Sequence, residues 1–372
     1  MTTYPFKRNI CSDLILSSVN NPITFLLGPK RCGKTVSLKQ LDAQFSNAEY
    51  INFTALSDDQ KLDAYDEICS SIRQDENKTY LLDEITHSFM PELEIKEISE
   101  LFFETANTHT HLVITGNPSF VLEIWAYRAF GGNTAFIRTD YLTYDEWLKY
   151  RYFKNEGDGY PTYAKFLVEV AVFHHLTSLK DHLASCISDA CISNRNTTNV
   201  VWGNDVYRIE EDIDSLLDIC YLSLFSITDT LSFPNINTKQ PSGIRQILHH
   251  FARACKGLGK PVLEEKLVNA FAEHYDHFRK TDPALLKQGI RFLYLNGILS
   301  VITAPEDPDT LIDILRDLKT CDPKRNYNND LFARYHFYFR HSLFYVLVLK
   351  DLWGDQYPGE LPQALAECIR NI

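Results

Sequence analysis

The stretch ITFLLGPKRCGKTVSLKQL, residues 23–41, decides the fold. ITFLL is an unbroken apolar run, the pattern of a strand covered on both faces in a parallel sheet. Gly28-Pro29-Lys30-Arg31-Cys32-Gly33-Lys34-Thr35 then fits G-x-x-x-x-G-K-[ST] at every position. Glycines at the two ends let the backbone turn its N–H groups inward around a phosphate. Val36 carries the chain into a helix over 33–45, whose N-terminus adds its positive dipole end. In such a loop Lys34 reaches the β- and γ-phosphates and the Thr35 hydroxyl ligates Mg²⁺. Cys32 is either a small filler or a point where oxidation would disturb binding.

Hydrolysis needs a carboxylate brought to the metal from a neighbouring strand. TYLLDEIT (79–86) supplies one. Asp83 suits the Mg²⁺ shell, and Glu84 suits the polarising of an attacking water. A chain that only stored a nucleotide would have no use for Glu84. HLVITGNPS (111–119) ends another apolar strand with Thr115 and Asn117. Asn117 is either a polar contact to the γ-phosphate and the water, or the start of an Asn-Pro turn. PELEIK (91–96) places Glu92, Glu94 and Lys96 in a nuclease-like order, but reads as the acidic first turn of a helix.

Outward from these motifs, strands at 23–27, 49–56, 79–85 and 111–116 alternate with helices at 9–20, 33–45, 58–74 and 94–108. That alternation predicts a parallel α/β sheet, the P-loop NTPase core. Past residue 150 the patterns become helical. The expected division is a P-loop core over 1–150, a helical segment over 151–238, a winged-helix-like domain over 239–303 and a C-terminal extension over 304–372.

LLGPKRCGKTVSLKQL, TYLLDEI, HLVITGNPSFVL and FGGNTAFIRTDYLTYDEWLKY, in that order, resemble AAA-type P-loop ATPases of the archaeal-type, STAND-related branch. The resemblance implies ATP rather than GTP, with Mg²⁺, and a winged helix after the core. YLTYDEW puts Glu146 at the acidic place of that branch's Leu-Ser-x-x-Glu-like element. The branch's glycine-arginine pair is broken, since Asn133 follows Gly132. Arg128 and Arg138 stand near enough to replace that arginine, or else they form surface ion pairs.

The winged helix would place DPALLKQGIRFLYLNG (282–297) as its third helix, followed by the strand GILSVIT. Lys287, Gln288 and Arg291, with Arg279 and Lys280, are its candidate DNA contacts. The competing expectation is a protein partner or a second copy of the chain. RYHFYFRH (334–341) alternates with period two, an aromatic face against a charged one.

Composition narrows the classes. The formal net charge is −12 over 372 residues, which excludes a general polyanion binder and leaves only a local basic patch for nucleic acid. No apolar run approaches the roughly 20 residues of a membrane span. Nine scattered cysteines without a C-x-x-C pair fit reduced thiols. A cytoplasmic protein is the expectation.

Overall fold

Strands with two covered faces come from runs such as ITFLL, and the sheet is built around them. In this computed structural model, residues 8–105, 108–131, 134–154, 179–195, 292–302 and 336–340 are described, with positions 217, 218, 220, 289 and 344. Cα packing divides the chain into two units. One comprises Met1–Gly157 with Ser188–Trp202, the other Asp158–Ile187 with Gly203–Ile372.

In the first unit the order runs α1 (Ile10–Asn20), β1 (Ile23–Leu27), α2 (Lys34–Asp42), β2 (Ala48–Asn52), α3 (Asp58–Arg73) and β3 (Thr79–Asp83). It continues with α4 (Pro91–Glu104), β4 (His111–Ile114), α5 (Ser119–Phe130), β5 (Ala135–Arg138) and α6 (Tyr144–Lys154). A further helix, α7, spans Leu179–Arg195. The five strands form one sheet in the order β2-β3-β4-β1-β5, and every pairing is parallel. β1 and β3 are buried along their whole length, whereas the edge strands β2 and β5 are only partly covered.

Alternation along β1 sends Leu26 to one face, in a cluster with Leu14 of α1, Leu38 and Leu41 of α2, Leu81 and Val113. Phe25 goes to the other face, its ring 5.9 Å from Phe130 of α5 and 5.6 Å from Phe136. Leu26 and Phe25 are both fully buried, and each such side chain contributes about 1.5–3 kcal/mol relative to exposure. α3 begins with a capping box, in which Ser57 and Gln60 each satisfy the other's backbone N–H. The α/β P-loop core expected from the sequence is therefore present. β2 stops at Asn52, where Phe53–Ala55 tighten into a 3₁₀ turn.

In the second unit, β6 (Leu299–Ile302) pairs antiparallel with β7 (His336–Phe339). The period-two stretch RYHFYFRH thus supplies a strand. A helical turn at 292–295 ends at Gly297, with φ 71°, where Ile298 N–H donates to Leu293 O at 2.9 Å. Glycine suits this left-handed helix end. Arg279, Lys280, Lys287, Gln288 and Arg291 lie outside the described residues, as do Gly132 and Asn133.

Candidate functional site

Parallel strands collect their carboxyl ends at one edge of the sheet, and ligands of open α/β sheets bind beyond that edge. The phosphate loop leaves β1, Asp83 ends β3, and Thr115 to Asn117 follow β4. The carboxylate strand is not the immediate neighbour of β1, as the sequence reading had it, because β4 lies between them. Asn117 therefore occupies the middle of the site.

Close packing explains both loop glycines. A Cβ on Gly28 would lie 2.5 Å from Thr139 O and 2.8 Å from Cys32 Sγ. Gly33, the residue before α2, has φ 96°. Ser119 fastens the first turn: its Oγ donates to Gly28 O at 2.7 Å and accepts from Gly28 N–H at 3.1 Å. Pro29 is buried, and Thr35 and Val36 are half-buried on the first turn of α2. Lys30 reaches Asp189 of α7 at 2.6 Å, while Tyr141 Oη donates to Lys30 O at 3.1 Å. Arg31 holds φ 66°. Burial pushes the Cys32 thiol up, with Lys34 and Arg8 acting against it.

Lys34 is 4% exposed. Its ammonium donates to Gly28 O at 2.8 Å, to Pro29 O at 3.0 Å and to Asn117 Oδ1 at 2.8 Å. Three donors meet three acceptors, as a buried ammonium requires.

Across the site, Tyr50 Oη donates to Asp83 Oδ2 at 2.7 Å. Asp83 Oδ1 is buried without a hydrogen-bond partner, as is Thr115 Oγ1. Burial pushes the Asp83 carboxyl up, with the Tyr50 and Thr35 hydroxyls pulling it back. A buried carboxylate oxygen beside a hydroxyl fits a small hard cation, and Mg²⁺ binds through one or two carboxylates plus substrate phosphates. Among the described residues no group of three or more His, Cys, Asp or Glu gathers as a metal site.

Glu84 follows with φ 55° and ψ 45°, an uncommon left-handed conformation for a residue of its kind. Its Oε2 accepts Asn117 N–H at 2.9 Å, and its Oε1 accepts the Asn117 amide. One side chain, Asn117, thus bonds both the lysine and the glutamate. Thr86 Oγ1 donates to Asn117 O at 2.7 Å and fixes the turn from behind.

Four residues at this edge escaped the sequence reading: Arg8, Tyr50, Ser119 and Asp189. Arg8 donates from Nε to Glu146 Oε1 at 3.1 Å and from Nη2 to Asp140 O at 2.8 Å. Burial pushes the Glu146 carboxyl up, but Arg8 outweighs it and holds the group below its ordinary value. The surface-pair alternative describes the two other arginines. Arg128 meets Glu92 at 2.9 Å and Arg138 meets Glu123 at 2.5 Å, each more than half exposed.

Residues 20–148, about a third of the chain, match the family model of the AAA domain. No curated protein matches the chain. Among solved structures the chain is similar to the Orc1 protein of Aeropyrum pernix, determined in complex with DNA. The identity is 13%, the match covers 91% of this chain and 90% of that one, and the TM-score is 0.30. Among the described residues no helix is long and apolar enough to cross a membrane.

Proposed function

We propose that the chain binds ATP with Mg²⁺ and hydrolyses it, and that the bound nucleotide sets the arrangement of the segments that follow the core. The observation that carries this reading is the meeting of Lys34, Glu84 and Asn117, with Asp83, at the carboxyl ends of β1, β3 and β4. Gly28 to Val36 enclose the phosphates, Thr35 and Asp83 hold the cation, and Glu84 orients the water. The bound cation would neutralise charge on the phosphates. A phosphate at Lys34 competes with Asn117 for the ammonium, and Asn117 also holds both oxygens of Glu84. Phosphate arrival and the hold on Glu84 Oε1 are therefore joined through the Asn117 side-chain amide, while the Asn117 backbone N–H keeps Oε2.

The proposed path outward starts at Lys30, whose ion pair with Asp189 links the loop to a helix 159 residues further along the chain. A charge that changes partners when phosphate binds is a sufficient switch. In this reading the molecule is a switch of the STAND-related kind, acting on DNA near Lys287 and Arg291 or on a protein partner.

Steady-state ATP turnover of the wild type and Glu84→Gln, each with and without duplex DNA, tests the reading. Turnover in the wild type, and its loss in Glu84→Gln with ATP still bound, is the expected result. Stimulation by DNA selects the nucleic-acid form; indifference to DNA selects the protein-interaction form. Equal turnover in both proteins refutes the role of Glu84.

A further inference from the structure

A phosphate loop works only if its peptide N–H groups face the ligand, so its carbonyls must find partners on the outer side. The carbonyl of Cys32 finds Arg8, whose Nη1 donates to it from 24 residues earlier in the sequence. The Nε and Nη2 donors of the guanidinium fork are engaged by Glu146, at 3.1 Å to Oε1 and 3.3 Å to Oε2, and by Asp140 O at 2.8 Å. Glu146 is itself held by the N–H groups of Asn9 at 3.1 Å and Thr143 at 3.2 Å. The two side chains are 9% and 5% exposed. A buried ion pair is often no more stabilising than apolar residues of the same volume, so stability alone is a weak reason for this one.

Gly33 supplies the second observation. A Cβ there would stand 2.9 Å from Arg8 Nη1, so the missing side chain is what lets the guanidinium lie against the loop. A trans peptide points its C=O and the next N–H to opposite sides. Holding the Cys32 carbonyl toward Arg8 therefore turns the Gly33 N–H away from Arg8.

We propose that Arg8, aligned by Glu146, is a positioning residue of the phosphate loop: it fixes the Cys32–Gly33 peptide so that the Gly33 N–H is presented to the nucleotide phosphate. This rests on the nucleotide-binding reading above. The role belongs to the fork and not to the charge alone, because an ammonium cannot serve the carboxylate and both carbonyls in the same planar geometry.

The experiment compares Mg-ATP dissociation constants and ligand-free melting temperatures of the full-length wild type, Arg8→Lys, Glu146→Gln and Lys34→Ala. Arg8→Lys is expected to bind Mg-ATP about 10- to 100-fold more weakly, the effect of one or two hydrogen bonds to a charged group. Its ligand-free melting temperature should stay within about 4 °C of the wild type. Glu146→Gln keeps the side-chain shape and should weaken binding in the same direction. Wild-type affinity in a folded Arg8→Lys overturns the proposal. If Arg8→Lys does not fold, Glu146→Gln decides by the same criterion, and failure of both to fold makes the pair structural and also overturns it. A wild type that does not bind Mg-ATP, or Lys34→Ala binding it equally well, defeats the nucleotide reading itself.

Discussion

The two ends of the one sheet treat their polar groups in opposite ways. Before β3 and β4, at the amino ends, partners are supplied in full. Thr110 Oγ1 lies 3.1 Å from Ser71 O and 2.8 Å from Glu76 O. Asp75 takes the backbone N–H of His109 at 2.6 Å and its ring nitrogen at 2.9 Å. Lys78 meets both Glu49 and Glu67. At the carboxyl ends, Asp83 Oδ1 and Thr115 Oγ1 are buried with none, and Arg31 and Glu84 hold left-handed backbone. Asp75 does so as well, but aspartate tolerates that region better than arginine or glutamate. Buried polar atoms are nearly always bonded. A chain that satisfies one end of its sheet and leaves atoms unmet at the other has kept those atoms for something else.

The hardest test of that contrast is Lys34→Ala. Removing the ammonium takes away the main phosphate contact and leaves Asn117 Oδ1 buried without its donor. Mg-ATP binding is expected to fall by more than about 100-fold, since each charged hydrogen bond is worth about 1.5–3 kcal/mol. Calorimetric titration reads this directly, and undiminished affinity breaks the assignment of this end as the ligand end.

Asn117→Ala is the next step down. It removes the side-chain bonds to Lys34 and to Glu84 Oε1, so the phosphate contact survives while the base is held only at Oε2, by the backbone N–H of residue 117. Turnover is expected to drop about 10- to 100-fold with a smaller change in binding, the size of one or two such bonds. If binding falls and turnover at saturation is unchanged, Asn117 serves the phosphate alone, and the coupling of base to lysine is lost from the account.

Glu94→Gln separates burial from function at the same end. Glu94 is 4% exposed near the start of α4. Burial pushes its carboxyl above the ordinary 4.5, with the Ser88 hydroxyl and the Met90 N–H acting the other way. A carboxyl whose native pKa is raised binds protons more readily folded than unfolded, so its charge opposes folding above the native pKa and not below 4.5. Glu94→Gln should therefore melt a few degrees higher at pH 7. That gain should shrink as the pH falls through the raised pKa and close below 4.5. Turnover should be unaffected, because Glu94 touches neither Lys34, Glu84 nor Asn117. Lower stability at pH 7 would show that the helix-end charge outweighs its burial.

What could be read in the sequence follows from distance along the chain. Gly28 to Thr35 carry their geometry within eight residues, and Asp83-Glu84 closes an apolar strand, so both were legible. β4 was legible as a strand but not as the one between β1 and β3, because strand order depends on crossovers that no local pattern encodes. Arg8 was invisible for the same reason: its partners lie 24, 132 and 138 residues away, and no spacing rule joins them. Tyr50 looked like one more apolar strand residue until β2 lay beside β3 and its hydroxyl met Asp83. Ser119, at the first turn of α5, was the one readable omission. A serine opening a helix asks for a backbone partner, although nothing in GNPSF says that the partner is Gly28.

At the amino end the expected effect is the smallest. Lys78 is a quarter exposed, ion-paired to Glu49 and Glu67, and lies 4.6 Å from the centre of the Tyr80 ring. Desolvation lowers its pKa, but the hydrogen bonds it donates to Glu49 and Glu67 more than reverse this, so the group stays charged well above its ordinary range. Lys78→Met keeps the stem against Tyr80 and deletes only the charge. Solvent screening limits exposed pairs of this kind to about 1 kcal/mol or less each, so a small fall in denaturation midpoint is expected, weaker still at high salt. Turnover should stay within about twofold of the wild type, the change that 0.4 kcal/mol makes in a rate. A larger loss would mean that the saturated end of the sheet is linked to the reactive one, and that full hydrogen bonding does not mark an end free of function.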